Sequence, residues 1–155
     1  MQFATQEMNY CPPESCVRVV KASFGMRKIG LSHNPKVEIA SLLTDSMYQP
    51  TPAGIRGSFA TARQLLYKAG DVCIDLHIRP KPGSEAVVLV GQLLDSVKPP
   101  KALSNIPIAL VHGGNPVERT KTNDFGEFDF GFEKPEDIHL AVGLENRTLV
   151  VPIPN

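Results

Sequence analysis

The segment Glu127–Glu133 constrains the fold more than any other stretch of the sequence. Phe128, Phe130 and Phe132 occupy every second position, and acidic residues and a glycine lie between them. A period of two is that of a β-strand with one buried face, and a helix does not produce it. Burying each phenylalanine stabilises a fold by roughly 1.5–3 kcal/mol. The rest of the chain must therefore supply the opposing wall of a core.

The residues before this strand predict a change of chain direction. Lys121–Asp124 is polar and contains an Asn-Asp pair that tolerates left-handed backbone, and Gly126 adds a second permissive position. We therefore predict a β-hairpin over Arg119–Phe132, with its aromatic side turned inward. Val117–Thr122 is polar and charged on both faces, which is typical of an edge strand protected from pairing with other molecules.

Short apolar runs alternate with turn signals from Ser58 to the end of the chain, at about the spacing of an all-β sandwich or barrel. Arg63–Ala69 is the first run, and Val72–Arg79 alternates most clearly. Ala86–Leu94 is apolar on both faces, as a central strand covered on each side would be. The predicted core contains Phe128, Phe130, Phe132, Ile74, Leu76, Leu140, Val142 and Val151.

The chain divides into two predicted parts, an N-terminal extension at residues 1–57 that is partly irregular and a β-sandwich at residues 58–155. Gln49–Gly54 contains two prolines and a glycine, which neither a helix nor a strand accommodates in sequence. Residues 35–46 carry apolar side chains that fit a helix and a buried strand equally, and so short a run does not decide between them.

The cysteines predict free thiols. Cys11, Cys16 and Cys73 are an odd number and do not make a disulfide framework. Cys11 and Cys16 resemble half of a zinc knuckle, but no second pair at ligand spacing follows, so no zinc is expected. The sequence shows no signal peptide and no apolar run of about 20 residues. The expectation is a cytoplasmic protein that does not interact with a membrane.

Charge and motifs argue against two large functional classes. The chain has 16 basic and 16 acidic residues, whereas a nucleic-acid-binding protein normally carries a basic excess on one face. It also lacks a nucleophile elbow, a glycine-rich phosphate loop and an HExxH motif. We therefore expect no nucleic acid partner, no cofactor and no enzymatic activity.

Two groups of residues are candidate sites. Asp75 and His77 lie two apart on one predicted strand, so they project on one face and could share a metal or form a dyad. Polar residues on the solvated side of a strand give the same pattern, and that interpretation is favoured. The second group lies in long or glycine-rich loops where binding tends to occur. Its members are Lys98, Pro99, Pro100, Lys101, His112, Gly113, Gly114 and Asn115.

Four segments together resemble a known family. Val90–Asp95, Ile108–Leu110, Thr120–Phe128 and Leu140–Val142 are similar to the carboxypeptidase regulatory-like domain, and the spacing of threonine, asparagine, glycine and phenylalanine in the third is the most specific part. The resemblance covers residues 87–153. It implies a transthyretin-like or immunoglobulin-like sandwich of about seven to eight strands that serves as an accessory module. The loop after the first segment is longer than the family pattern.

A second similarity concerns the first predicted hairpin of the sandwich. Arg63–Ile78, with its Gly-Asp turn, is similar to a hairpin of small bacterial proteins that end in this domain. This similarity extends the predicted β unit to about residue 58. It implies no activity.

The sequence leaves two hypotheses for function. The first is a non-catalytic module that binds another protein or a second copy, because the apolar runs Val17–Val20 and Val37–Leu43 need a surface and Ala86–Leu94 offers one. The alternative is a small-molecule or carbohydrate binder, or a hydrolase, that uses loops 95–105 and 112–116. The absence of tryptophan argues against stacking of sugars.

Overall fold

Two β-sheets packed face to face form the molecule. The computed structural model describes residues 36–48, 62–133 and 137–154. These ranges contain one turn of 3-10 helix, Ser46–Tyr48, and eleven strands. In chain order the strands are β1 (Lys36–Ile39), β2 (Ser41–Asp45), β3 (Arg63–Ala69), β4 (Val72–Pro80), β5 (Ala86–Asp95), β6 (Lys101–Ala102), β7 (Pro107–His112), β8 (Asn115–Lys121), β9 (Glu127–Glu133), β10 (Ile138–Gly143) and β11 (Arg147–Pro152).

The strand order confirms the predicted all-β sandwich. One sheet has five strands in the order β1-β11-β10-β7-β8. The other has six, with β2-β3-β4-β5 in line and both β6 and β9 paired with β5. The five segments predicted as strands by range, Arg63–Ala69, Val72–Arg79, Ala86–Leu94, Val117–Thr122 and Glu127–Glu133, are found as β3, β4, β5, β8 and β9. None of the helical structure in the described ranges is long and apolar enough to cross a bilayer.

The hydrophobic core lies between the two sheets, and the predicted core is confirmed. Seven of the eight predicted residues are at most 4% exposed, and Phe132 is half-buried at the margin. Phe128 and Phe130 pack edge to face, with ring centroids 6.0 Å apart and an interplanar angle of 67°. Aromatic pairs favour this arrangement because the positive edge of one ring faces the negative face of the other. The alternation of Glu127–Glu133 thus supplies one wall of the core.

The predicted hairpin over Arg119–Phe132 is wrong. β8 pairs with β7 in the five-stranded sheet, whereas β9 pairs with β5 in the six-stranded sheet. The chain crosses between the sheets at residues 122–126 and does not fold back on itself. A period of two identifies the buried face of a strand but not its hydrogen-bonding partner, since both sheets offer an apolar inner face. β8 does lie at a sheet edge, as its charged sequence predicts.

Residues 36–48, assigned from the sequence to the N-terminal extension, contribute one strand to each sheet. β1 pairs in parallel with β11, and β2 pairs antiparallel with β3. The switch occurs at the buried residue Ala40, whose amide donates to the carbonyl of Val150 at 2.9 Å. The ambiguous run at 35–46 therefore forms the two strands β1 and β2, with Ala40 between them and the 3-10 helix beginning at Ser46. Val17–Val20, Cys11, Cys16 and the predicted boundary near Gly54 lie outside the described residues.

The prediction that Ala86–Leu94 is covered on both faces holds for one face only. Val87, Leu89 and Leu93 are buried against the other sheet. Val90 points to the opposite side and is 37% exposed. The strand is central because β4 and β9 flank it in the sheet, and its apolar outer residues are partly in contact with water.

Candidate interaction surface

The loop between β5 and β7 presents the first group of predicted loop residues to solvent. Lys98, Pro99, Pro100 and Lys101 are all exposed. The base of this loop is fixed, because the amide of Ser96 donates to the carbonyl of Asp71 at 2.6 Å and Val97 donates to the Asp95 carboxylate at 2.9 Å. Further along, Lys101–Ala102 pairs with β5. The loop is therefore an exposed tip on a hydrogen-bonded base.

The second predicted loop is a tight two-residue turn between β7 and β8. His112 pairs with Asn115, and Gly113 and Gly114 between them have φ angles of +55° and +83°. Two consecutive positive φ values are those of a type I′ turn, which glycine adopts without steric cost. His112 and Asn115 are exposed at this turn. The glycines there are explained by backbone geometry.

The two loops do not form one site. β7 connects them, with the first loop before Pro107 and the turn after His112. A six-residue strand is about 17–20 Å long, so the loops lie at opposite ends of the sandwich. Residues 95–105 and 112–116 therefore do not converge on one place in the described structure.

Asp75 and His77 do lie together on the solvated face of the six-stranded sheet. His77 Nε2 is 3.5 Å from Asp75 Oδ1, and the Gln64 amide donates to the same carboxylate at 3.0 and 3.2 Å. His77 is exposed and Asp75 is partly exposed. Within the part of the chain that the structure covers, no three His, Cys, Asp or Glu side chains are grouped as metal ligands. The geometry is that of a surface hydrogen-bond cluster.

The threonine and asparagine of the family-like segment organise the crossing between the sheets. Thr122 Oγ1 donates to the carbonyl of Leu103 at 2.6 Å and accepts from the amide of Ile106 at 2.9 Å. Asn123 Oδ1 accepts from the amides of Phe125 and Glu127, both at 2.9 Å. Such side-chain bonds to backbone replace a sheet partner where the chain turns. These residues hold the long loop against the crossing.

Gly126 completes this crossing through close approach of backbones. The amide of Leu93 donates to the Gly126 carbonyl at 2.8 Å, and the Leu93 carbonyl accepts from Leu103 at 3.1 Å. Gly126 has a φ of +74°, and a Cβ there would lie 2.4 Å from the Leu93 oxygen. Glycine alone satisfies both conditions. The spacing that resembles the regulatory-like family is thus accounted for by local folding.

An exposed apolar strip, which we did not single out from the sequence, runs along the edge of the six-stranded sheet. Leu42 and Leu43 of β2 are 43% and 55% exposed, and Met47 and Tyr48 of the 3-10 helix are 66% and 84% exposed. We call these four residues the β2 strip. From its sequence, the apolar run Val37–Leu43 was expected to need a surface to pack against. No local signal in the sequence separates these residues from buried ones.

A buried ion pair supports the β2 strip from beneath. Arg63 Nε and Nη2 donate to the Asp45 carboxylate at 3.1 and 2.6 Å, and Asp45 accepts from the Met47 amide at 3.0 Å. Arg63 also donates to the carbonyl of Pro154 at 2.8 Å, which ties the C-terminus to the same place. The hydrogen bond from Arg63 lowers the pKa of Asp45 below its ordinary value. The carboxylate is therefore ionised, and its oxygens are hydrogen-bonded to Arg63 and Met47.

Tyr67 provides a second connection between β3 and β11. Its hydroxyl donates to the carbonyl of Pro152, and its ring is buried in the core. Burial raises the pKa of Tyr67 to about 12, because an ionised phenolate would lose its hydration. The hydroxyl thus remains a neutral donor at physiological pH. Its role is structural.

The chain was compared with protein-family models, with curated proteins and with solved structures. None of the three comparisons gave a significant match. The function proposed for this protein rests on the geometry of its described residues.

Proposed function

We propose that the chain is a non-catalytic β-sandwich module that binds another protein, and that the β2 strip is the contact surface. The carrying observation is the exposure of Leu42, Leu43, Met47 and Tyr48 within seven consecutive residues. Contiguous exposed apolar residues on a soluble fold mark interaction sites more often than chance, whereas single ones do not. Tyrosine and methionine suit such a contact, since tyrosine is enriched at binding hot spots and methionine adapts its shape.

The other sheet edges of the molecule are charged, which sets β2 apart. β1 carries Lys36 and Glu38, β8 carries charged residues of both signs, and β9 carries three acidic residues. Charged edges prevent uncontrolled strand pairing. In β2, by contrast, the single charged side chain is that of Asp45, which is buried against Arg63. An apolar partner surface meets no desolvation penalty from charge at this edge.

A β-bulge determines how a partner can bind. The register of β2 on β3 shifts between Leu42 and Thr44, so that Leu43 is an extra residue without a cross-strand partner. A bulge interrupts the backbone ladder and bends the strand, which opposes addition of another strand. We therefore assign binding to the side chains of the β2 strip, inserted into an apolar pocket or groove of the partner.

The support beneath the strip favours binding by limiting its entropic cost. Asp45 accepts from the Met47 amide, and Ser46 Oγ accepts from the Gln64 amide at 2.9 Å. These bonds fix the 3-10 helix against β3 before a partner arrives. Ordering of loops and side chains on binding costs free energy, and a preorganised segment avoids part of it.

The resemblance to the carboxypeptidase regulatory-like domain belongs to the same proposal. That family is composed of sandwich modules that accompany other domains, so membership agrees with a binding role. The support consists of the similar spacing at Thr120–Phe128 and a sandwich architecture. Fold-level similarity by itself does not establish a function.

Affinity capture from the source cell tests the proposal. The bait is the full chain, compared with Leu43→Glu/Tyr48→Ala and with Val117→Glu, a matched control because Val117 is 58% exposed on the opposite sheet edge. We expect the first variant to recover a defined partner at least about tenfold less efficiently, while the control retains it. Equal recovery by both variants would refute the β2 strip as the contact. Recovery of a small molecule, or substrate turnover, would overturn the binding role itself.

A further inference from the structure

The five-stranded sheet has a second apolar face, directed away from the core. Ala109, Ala141 and Val150 are directly opposed on β7, β10 and β11, so they form one row on this side. Val111 joins them in a hydrophobic cluster that is separate from the main core. We call these four residues the outer cluster. The neighbouring residues of the main core, such as Leu110 and Leu140, point the opposite way.

The outer cluster is closed to solvent. The exposed fractions are 1% for Ala109, 0% for Val111, 0% for Ala141 and 3% for Val150. Thr148 on the same side is also fully buried. The outer side of the six-stranded sheet behaves differently. There His77 and Asp129 are exposed and Val90 is 37% exposed. A sheet face that nothing covers leaves its side chains in contact with water.

The described strands do not account for this burial. The strands of the six-stranded sheet lie against the inner face of the five-stranded sheet. Within the described ranges, the hydrophobic residue that packs against the outer cluster without belonging to it is Val37. A segment outside the described ranges is therefore the candidate for a cover. The chain has four such stretches, residues 1–35, 49–61, 134–136 and 155.

We propose that residues 1–35 cover the outer cluster and complete the fold with a third layer. This segment ends at Lys36, which pairs with Arg147 in the same sheet, so it enters beside the face in question. Residues 49–61 are shorter and are tethered to the other sheet at both ends, through β2 and β3. The face is about 20 Å along its six-residue strands, a distance that 35 residues span several times.

The sequence of the segment suits an apolar face. It contains Val17, Val19, Val20, Phe24, Met26, Ile29 and Leu31. Its covering role goes beyond the proposed function, because the face lies on the five-stranded sheet and the β2 strip on the edge of the six-stranded one. It also gives the apolar run Val17–Val20 a different surface from Ala86–Leu94, on which the sequence had placed it.

Thiol labelling of the full chain tests this cover. In a background where the three native cysteines are serine, Ala141→Cys places a probe in the outer cluster, and Val117→Cys provides an exposed control. We expect the probe at 141 to react at least about 100-fold more slowly than the control. Adding Val17→Asp, Val19→Asp and Val20→Asp should bring the two rates to within about tenfold. Continued slow reaction would show that residues 17–20 are not the cover.

Two further measurements keep the test decisive. A circular dichroism spectrum matching that of the unsubstituted chain shows that the substituted chain is folded, and the rate at the exposed position 117 gives the intrinsic reactivity of the thiol. If the substituted chain unfolds, a crosslinking experiment takes its place. A photo-crosslinking residue is introduced at Val20 in the otherwise unaltered chain, and its crosslinks should map to β7, β10 or β11. Crosslinks elsewhere would overturn the proposal. Protection at position 141 that disappears on dilution would overturn it in favour of a second copy as the cover.

Discussion

Substitution of Gly126 by alanine measures how strongly the crossing between the sheets is held. An added Cβ meets the Leu93 carbonyl oxygen at 2.4 Å and the Leu103 nitrogen at 3.2 Å, and both belong to the backbone. The φ of +74° adds a steric cost of about 1 kcal/mol for a residue other than glycine. Relieving the contact weakens the hydrogen bonds of Leu93 and Leu103, each of which contributes about 1 kcal/mol. The total expected destabilisation is about 3 kcal/mol.

Gly83→Ala is the matched control for this substitution. Gly83 has a φ of +73°, almost that of Gly126, but nothing lies within 4 Å of its Cβ position. It therefore isolates the backbone cost, about 1 kcal/mol. The assay is urea unfolding followed by far-UV circular dichroism, where a slope of about 1.5 kcal/mol/M turns 3 kcal/mol into a midpoint shift of about 2 M. Equal destabilisation by the two substitutions would refute the proposed role of the close approach.

Three further predictions concern the core and the ion pair. Phe130→Ala should destabilise the fold by about 3–5 kcal/mol in urea unfolding, because the ring is 1% exposed and a cavity would remain, and a loss below 1 kcal/mol would contradict the assigned packing. Gly91→Ala should lower the free energy of unfolding by about 1–3 kcal/mol, because the added Cβ would lie 2.2 Å from the Phe128 ring. The loss should be much smaller in a Phe128→Leu background, and additive losses from the two substitutions would count against this contact. Asp45 has a lowered pKa in the folded state, so the unfolded state binds more protons than the folded state as the pH falls. The stability that Asp45 contributes is therefore present above about pH 4 and is lost below it. The stability difference between the protein and Asp45→Asn should accordingly shrink from pH 6 to about pH 3, and a constant difference would show that the carboxylate charge is not what stabilises the pair.

Side-chain alternation was enough to predict most strands and the main core. In Val72–Leu76 and Phe128–Phe130 every second residue is buried, and the pattern continues with the half-buried Ile78 and Phe132, as the apolar alternation indicates. The hairpin between β3 and β4 was equally visible, because Gly70 with a φ of +57° occupies the predicted Gly-Asp turn. These features depend on neighbours in sequence. Local patterns therefore carry them.

The partners of the strands depend on distant residues, and there the sequence was less informative. β9 was expected beside β8 because they are consecutive, but Asn123 and Gly126 direct it into the other sheet. Two-sided burial was assigned to Ala86–Leu94, whereas the structure shows it for β7, in which Ile108–Val111 is buried at every position. Ile108–Val111 is continuously apolar, and Ala86–Leu94 is so apart from Gly91 and Gln92. Only the sheet order distinguishes an outer face that is covered from one that is open.

The β2 strip illustrates a different limit. Its leucines have the same hydrophobicity as core leucines, and nothing local marks them as exposed. They are exposed because β2 is the last strand of its sheet and a bulge displaces Leu43 from the ladder. The two predicted loops lie apart for a related reason, since β7 separates them. Exposure and proximity both follow from topology.

The parallel pairing of β1 with β11 has a mechanical consequence. Lys36–Ile39 and Arg147–Val150 run in the same direction, so the chain enters this pair at one end of the sandwich and leaves it at the other. Tension between the two chain ends would load these hydrogen bonds in shear, all together, and would not peel them apart one at a time. We expect high resistance in single-molecule stretching, reduced sharply by Glu38→Pro, because the Glu38 amide lies on the side of β1 that faces β11, as does the Ala40 amide that donates to Val150. A chain held in this way is suited to stay folded under tension applied at its two ends.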